Sequence, residues 1–126
     1  EMKPVESINV FGEPLEACSQ NPVTGFFRNG CCDTCAEDLG SHTVCVVMTR
    51  EFLTYSLEKG NDLTTPRPEF EFPGLRAGDQ WCLCASRWLE AHAAGKAPKL
   101  RLRSTHQAAT EIIDIQTMRQ YAVDVH

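Results

Sequence analysis

Seven cysteines, four histidines and several acidic residues are the side chains of this sequence that could support chemistry. The densest group among them is Cys32-x-x-Cys35, followed by His42-x-x-Cys45. Zinc binds four nitrogen or sulfur donors at about 2.0 to 2.3 Å, and ligand pairs with this spacing on a turn supply that geometry. The spacing therefore suggests a zinc site formed by Cys32, Cys35, His42 and Cys45. The alternative is that these cysteines are small buried apolar residues without a ligand.

The same loop could instead carry a reactive thiol. Cys31 and Cys32 are candidates for a nucleophile or redox thiol, which needs a helix N-terminus or a nearby cation to stabilise its charged form. His42 could then act as the base, with Asp38 or Asp62 orienting its imidazole. On this hypothesis the catalytic candidates are Cys32, His42 and Asp62.

Polar residues in a later loop could add a binding site for a small molecule. Asn61 and Asp62 follow a predicted helix end, and Arg67 lies a few residues further on. Long polar loops on a rigid scaffold commonly hold binding residues. We therefore expect ligand-binding residues among Cys31, Asn61, Arg67 and Arg87. The alternative is that Asn61 and Asp62 only form local turns and that Arg67 pairs with an acid.

The remaining cysteines and the overall count indicate a reduced protein. Cys82 and Cys84 would point to one face of a strand with Cα atoms about 6.6 to 6.8 Å apart, at the edge of disulfide reach, so we expect them to pack. Seven cysteines cannot all pair in a monomer, and their density is below that of a secreted disulfide scaffold. The first twenty residues also lack the apolar core of a secretory signal. We therefore expect mostly free thiols and a cytoplasmic location.

Length and charge limit the partners of the chain. It has 126 residues, the usual size of a single domain. Its formal net charge is -5 and it has no run of lysines and arginines, so we expect no nucleic-acid partner. Its longest apolar stretch, 44 to 48, is far shorter than the roughly 20 residues that cross a bilayer, so we expect no membrane partner. A small-molecule ligand is compatible with this composition, and the oligomeric state is not indicated.

Two long loops and two buried strands must position the candidate residues. Residues 11 to 42 are rich in glycine, proline and short polar residues, which favour a loop. Residues 43 to 48 are β-branched or apolar at consecutive positions, which predicts a strand covered on both faces. Residues 61 to 80 form the second loop, and residues 81 to 85 the second strand.

Helices and a further strand complete the predicted fold. Thr49 is the expected N-cap of a helix over about 50 to 59, and Ser86 of a second helix. Residues 99 to 103 alternate between cationic and apolar types, which predicts a half-exposed strand. Asp114 is the expected N-cap of a last helix. The prediction is an α+β domain with a small mixed sheet, about three flanking helices and two long loops.

The two loops are expected to meet over the strand ends. The second loop leaves the helix that follows the first strand and returns to the next strand, so it can cover the first loop. This arrangement would place His42 and Cys32 near Asn61 or Asp62.

Five segments of the chain resemble a known bacterial family. They are NVFGEPLEAC (9 to 18), NPVTGFFRNGCC (21 to 32), EDLGSHTVC (37 to 45), GNDLTTPRPEFEFPGLRAGDQWCLCASRW (60 to 88) and the stretch 97 to 122. On these motifs the chain is similar to Domain of Unknown Function twenty-two thirty-seven, and it departs from the family pattern at Cys35. The resemblance implies a small single-domain bacterial protein and implies no reaction, cofactor or partner.

Two classes of function remain open. One is a thiol- or metal-dependent enzyme, which should show a concave pocket with a perturbed cysteine or histidine. The other is a non-catalytic ligand-binding or protein-interaction module with purely structural cysteines, which should show an exposed apolar patch.

Overall fold

Within residues 5–125 the protein forms three α-helices and a three-stranded sheet, so the predicted α+β class is confirmed. The computed structural model describes residues 5–125. The elements are β1 (Val44–Val47), α1 (Arg50–Glu58), β2 (Gln80–Leu83), α2 (Ala85–Ala93), β3 (Lys99–Leu100) and α3 (Ile115–Gln120). Within this described part, no helix is both long and apolar enough to cross a bilayer.

The sheet has the strand order β2-β1-β3, and β1 is antiparallel to both neighbours. The predicted mixed sheet is therefore an antiparallel one. The reason is that β1 lies between β2 and β3, the two strands that α2 connects. β2 and β3 therefore run in the same direction without pairing. A single parallel bridge links Leu100 to Ala122 at the edge.

The main core lies on one face of the sheet. Val44, Val46 and Leu83 are fully or almost fully buried and pack with the helices around Trp88. The Trp88 indole donates its hydrogen bond to the Pro98 carbonyl at 3.0 Å, which satisfies the one polar atom of this large side chain. Alternate residues of a strand point to opposite faces, so the cysteines between these core residues face the long first loop.

Polar side chains cap the N-termini of α1 and α3 as predicted. Thr49 Oγ1 accepts from the Phe52 N–H at 3.0 Å, and the Asp114 carboxylate accepts from two N–H groups of α3. α2, however, begins at Ala85 with Cys84 as its N-cap residue, and the prediction of Ser86 as the cap was wrong. The chain turns into the helix directly after Leu83, which shortens the predicted strand 81 to 85.

The predicted strand over residues 99 to 103 is limited to its first two residues. Beyond Leu100 the chain leaves the sheet for a 3₁₀ turn over Leu102–Ser104. The Asp124 carboxylate accepts from the N–H groups of Leu102 and Arg103, each at 2.9 Å. These two bonds replace the pairing that a longer strand would need.

Two disulfides, Cys18–Cys45 and Cys32–Cys82, tie the first loop to the sheet. The expectation of mostly free thiols was therefore wrong, since only Cys31, Cys35 and Cys84 remain unpaired. An odd number of cysteines shows only that at least one of them is unpaired in a monomer, and it allows the others to form disulfides. The partners are 27 and 50 residues apart, so only the path of the loop over the sheet brings them together.

Candidate functional site

A buried carboxylate holds His42 in one orientation. The Asp38 side chain is fully buried, and its Oδ1 lies 2.6 Å from His42 Nδ1. Its Oδ2 accepts from the His42 backbone N–H at 2.9 Å and from the Thr34 hydroxyl at 3.0 Å. Ser41, at φ 48°, makes the tight turn between them. Of the two orienting residues that the sequence left open, Asp38 is the partner of the imidazole.

The free thiol of Cys84 lies near the same imidazole. Both border Gly40, because a Cβ placed there would be 3.1 Å from Cys84 Sγ and 3.1 Å from His42 Cε1. Any larger residue at position 40 would press on the sulfur and the ring together. Cys84, His42 and Asp38 thus form a continuous thiol, imidazole and carboxylate arrangement.

The electrostatics of this arrangement favour a charged imidazole. A side-chain hydrogen bond with Cys84, and after it the one with Asp38, raises the pKa of His42 from 6.5 to about 9, although burial acts in the opposite direction. His42 is therefore an imidazolium at neutral pH. A neighbouring cation of this kind stabilises the thiolate form of a cysteine.

The start of α2 adds a second source of positive potential at Cys84. The first N–H groups of a helix have no intrahelical acceptor and carry partial positive charge. The Cys84 side chain does not cap them. The Ala85 N–H donates to the Ser41 carbonyl at 3.0 Å, so the N–H groups of Ser86 and Arg87 are the ones that can face a negative charge at or beside the sulfur.

His42 also lines a cavity of about 310 Å³ between the two long loops. The lining residues are Gly25, Phe26, Arg28, His42, Leu63, Trp81 and Cys82. Phe26 stacks on His42 with 6.2 Å between ring centroids, and the Arg28 guanidinium lies 5.3 Å from the centroid of Trp81. The wall thus combines two cations with flat aromatic surfaces.

The other predicted catalytic residues lie outside this arrangement. Cys32 is bonded to Cys82 and is not a thiol in this structure. Asp62 is half-buried, and hydrogen bonds from Thr65 and then Thr64 lower the pKa of its carboxyl to about 2. Leu63, not Asp62, is the residue of the second loop that reaches the cavity.

The predicted ligand-binding residues do not line the cavity beside His42. Cys31 is a half-buried thiol, and burial, followed by the charge of Asp33, raises its pKa. Asn61 bonds to Ser56 through its backbone. Arg67 pairs with the Phe72 backbone, and Arg87 lies near Glu90 on its own helix.

The four predicted metal ligands do not form one group in the structure. Cys32 and Cys45 belong to separate disulfides, Cys35 is a buried free thiol, and His42 is bound by Asp38. The sulfurs that converge are instead those of Cys18, Cys32 and Cys82.

Sequence reasoning did not place the Cys84 thiol beside His42. It assigned Cys84 to packing, as the partner of Cys82 on one strand face. The available signal was its position, because a cysteine directly before a predicted helix can lie at that helix N-terminus. The prediction of Ser86 as the N-cap instead placed Cys84 inside the strand, away from the helix N-terminus.

These features define a small α+β domain with a thiol, imidazole and carboxylate beside a loop-lined cavity. The chain belongs to the family described as an uncharacterized protein conserved in bacteria (DUF2237), whose model matches residues 8–122. No curated protein matches the chain.

The raised pKa of His42 predicts a pH-dependent stability. Because the group binds its proton more tightly when folded, its contribution is complete below pH 6.5 and is lost as the pH rises through about 9. The wild-type protein should therefore lose more unfolding free energy over this interval than His42→Gln. Urea unfolding at several pH values measures the difference, and parallel curves for the two proteins would contradict the assignment.

Proposed function

We propose that this protein is a thiol-dependent enzyme in which Cys84 attacks a small electrophilic substrate and His42 transfers the proton. The observation that carries the proposal is the position of the free Cys84 thiol beside an imidazole that buried Asp38 holds in place. A nucleophile, a base and a residue that orients the base are the recurring components of covalent catalysis.

The reaction class that this arrangement serves best is acyl transfer. The Cys84 thiolate attacks the carbonyl carbon of an ester or thioester, a sulfur–carbon bond forms, and the carbonyl electron pair moves onto oxygen. The N–H groups of Ser86 and Arg87 at the start of α2 are available to stabilise that oxyanion, whereas that of Ala85 is bonded to the Ser41 carbonyl. When the intermediate collapses, the leaving group departs with its electron pair and takes a proton from the His42 imidazolium.

Hydrolysis of the acyl-enzyme restores the starting state. Neutral His42 takes a proton from water as the hydroxide attacks the acyl carbon, and the sulfur–carbon bond breaks to release the acid. The thiolate of Cys84 and the imidazolium of His42 are regenerated. Asp38 keeps the ring oriented throughout.

The cavity, which His42 and not Cys84 lines, supports an anionic substrate with a flat apolar part. Arg28 and the His42 imidazolium supply positive charge, while Phe26 and Trp81 supply aromatic surface. Its volume of about 310 Å³ is near the lower end for small-molecule sites. A small substrate therefore fits better than a large cofactor.

Selective chemical modification tests the proposal. With limiting iodoacetamide at neutral pH, Cys84 should be alkylated at least roughly tenfold faster than Cys31, because only Cys84 has a cation and a helix N-terminus beside it. With an activated ester such as p-nitrophenyl acetate, mass spectrometry should find the acetyl group on Cys84.

Cys84→Ser is the test variant and Cys31→Ser the matched control. The first should abolish acetylation and ester turnover, while the second should leave both unchanged. Equal alkylation of the two thiols, or ester turnover that survives Cys84→Ser, would rule out Cys84 as the nucleophile.

A non-catalytic module with structural cysteines is the second candidate. The two disulfides favour it, because they hold a long loop on the sheet without any reaction. The exposed apolar side chain of Leu39, at 94% exposure, lies beside Asp38 and would suit a protein partner. This reading predicts that Cys84→Ser leaves function intact and that Leu39→Ser removes partner binding.

The location that we propose is the cytoplasm, because the attacking thiol must stay reduced. The two disulfides suit an oxidising compartment better. The redox state of the four cysteines in cells decides between these locations. Cells are quenched with acid, free thiols are alkylated, and mass spectrometry identifies the alkylated cysteines. Reduced Cys18, Cys32, Cys45 and Cys82 support the cytoplasm, and paired ones contradict it.

A further inference from the structure

We propose that Cys18, Cys32, Cys45 and Cys82, when reduced, bind a thiophilic divalent metal ion of the zinc class. The sulfur atoms of Cys18, Cys32 and Cys82 all lie within 4.8 Å of one another, and the fourth sulfur, of Cys45, is bonded to that of Cys18. Three sulfurs therefore converge beneath the first loop, and the fourth lies one S–S bond from this group.

The distances suit a tetrahedral ion after a small adjustment. Zinc–sulfur bonds of about 2.3 Å place neighbouring sulfurs about 3.8 Å apart in a tetrahedron. Three of the sulfurs already lie within 4.8 Å. Opening the two disulfides frees each sulfur to rotate about its Cα–Cβ bond, so the backbone need not move far.

The backbone around the four cysteines is firmly held. Cys45 and Cys82 are directly opposite each other on β1 and β2. Their N–H groups donate to the hydroxyls of Thr105 and Thr24, at 3.1 and 2.8 Å. Two ligands thus come from rigid strands and two from the loop, as structural zinc sites commonly combine them.

Burial gives the reduced form a reason to take up a cation. All four cysteines are buried and form an apolar cluster separate from the main core. Four thiolates could not be accommodated there without a compensating charge. A divalent ion supplies that charge and replaces the covalent bonds that hold the loop on the sheet.

This ligand set differs from the one that the Cys32-x-x-Cys35 spacing suggests. Cys18 and Cys82 take the places of Cys35 and His42, because His42 is already held by Asp38. The proposal is also independent of the reaction proposed for Cys84, which is not one of the four ligands.

The disulfide and metal forms exclude each other. Two equivalents of a small dithiol reduce the two disulfides, supplying four electrons and four protons and becoming two cyclic disulfides. Metal binding then releases the four protons and leaves four thiolates on the ion. Two equivalents of a small disulfide take up the four electrons, become four thiolates and expel the metal.

Cobalt(II) substitution tests the site on the full chain. The fully reduced, metal-free protein should bind one Co²⁺ and develop sulfur-to-metal absorption in the near ultraviolet with tetrahedral bands in the visible. Zn²⁺ should displace Co²⁺ and remove both signals. The oxidised protein should show neither, and absence of the signals in the reduced wild type would overturn the proposal.

Variants identify the ligands. Cys18→Ser should weaken binding by roughly 100-fold or more, since even outer-shell substitutions weaken metal sites by 10- to 100-fold. Cys35→Ser and Cys84→Ser are the controls and should bind normally. Loss of binding in Cys35→Ser with retention in Cys18→Ser would refute this ligand set.

A measurement on the wild type keeps the test valid if Cys18→Ser fails to fold. Zinc should protect Cys18, Cys32, Cys45 and Cys82 from alkylation in the reduced protein, while Cys84 remains reactive. Equal protection of all seven cysteines, or of none, would contradict the proposed site. Because Cys84 reactivity is read in the same experiment, failure of the metal site is distinguishable from failure of the enzyme proposal.

Discussion

Replacing Cys32 and Cys82 together by alanine is expected to lower the free energy of unfolding by about 4 kcal/mol, which is the loop-closure estimate for partners 50 residues apart. Without this bond the unfolded chain gains conformational entropy, and the first loop has few apolar contacts of its own to hold it on the sheet. Urea unfolding without reductant measures the change.

Cys35→Ala is the matched control for this variant. Cys35 is also a buried cysteine, with 5% exposure, but it is free, so its loss should cost only about 1 kcal/mol of packing. The Cys18–Cys45 disulfide closes a shorter loop. Replacing both of its cysteines by alanine should therefore lower the free energy of unfolding slightly less than removing the Cys32–Cys82 disulfide does. A Cys32 and Cys82 double variant as stable as Cys35→Ala would show that the bond does not constrain the loop.

Asp38→Asn is expected to slow any reaction of Cys84 by roughly 100-fold or more, as the corresponding change does in other triads. The carboxylate accepts three hydrogen bonds, two from the His42 backbone and Thr34 and one from the ring. An asparagine side chain has a single oxygen to accept them. When that oxygen faces the backbone, its NH₂ group faces His42 Nδ1 and forces the ring into the wrong tautomer.

The same substitution should lower the pKa of His42 from about 9, and NMR titration of the ring measures it. Cys84→Ser should lower this pKa further, because the hydrogen bond with Cys84 is the larger cause of the rise. Asp62→Asn, a change at the other candidate carboxylate, is the control and should alter neither the rate nor the pKa. An unchanged His42 pKa in Asp38→Asn would remove Asp38 from the site.

Local sequence patterns were sufficient for most of the secondary structure. The consecutive apolar residues at 43 to 48 predicted a strand buried on both faces, and the strand is there as Val44–Val47. The cap at Thr49 predicted the start of α1 correctly. Because each of these features depends on a few neighbouring residues, it can be predicted without knowledge of the tertiary structure. The strand predicted at 99 to 103 failed because Asp124, distant in sequence, takes the N–H groups of the chain there.

His42 and Asp38 could be named as candidates from the sequence, and they are four positions apart, a spacing that a turn brings together. The sequence by itself thus determined the α+β class, the main strand and helix positions, and the chemistry available in the loops. The choice among seven similar cysteines was made by the tertiary structure alone. Disulfide pairing and thiol–imidazole contact depend on distances of a few ångströms between residues far apart in the chain. Those distances are set by how the first loop packs on the sheet, which leaves Cys84 free beside His42 and pairs Cys32 with Cys82.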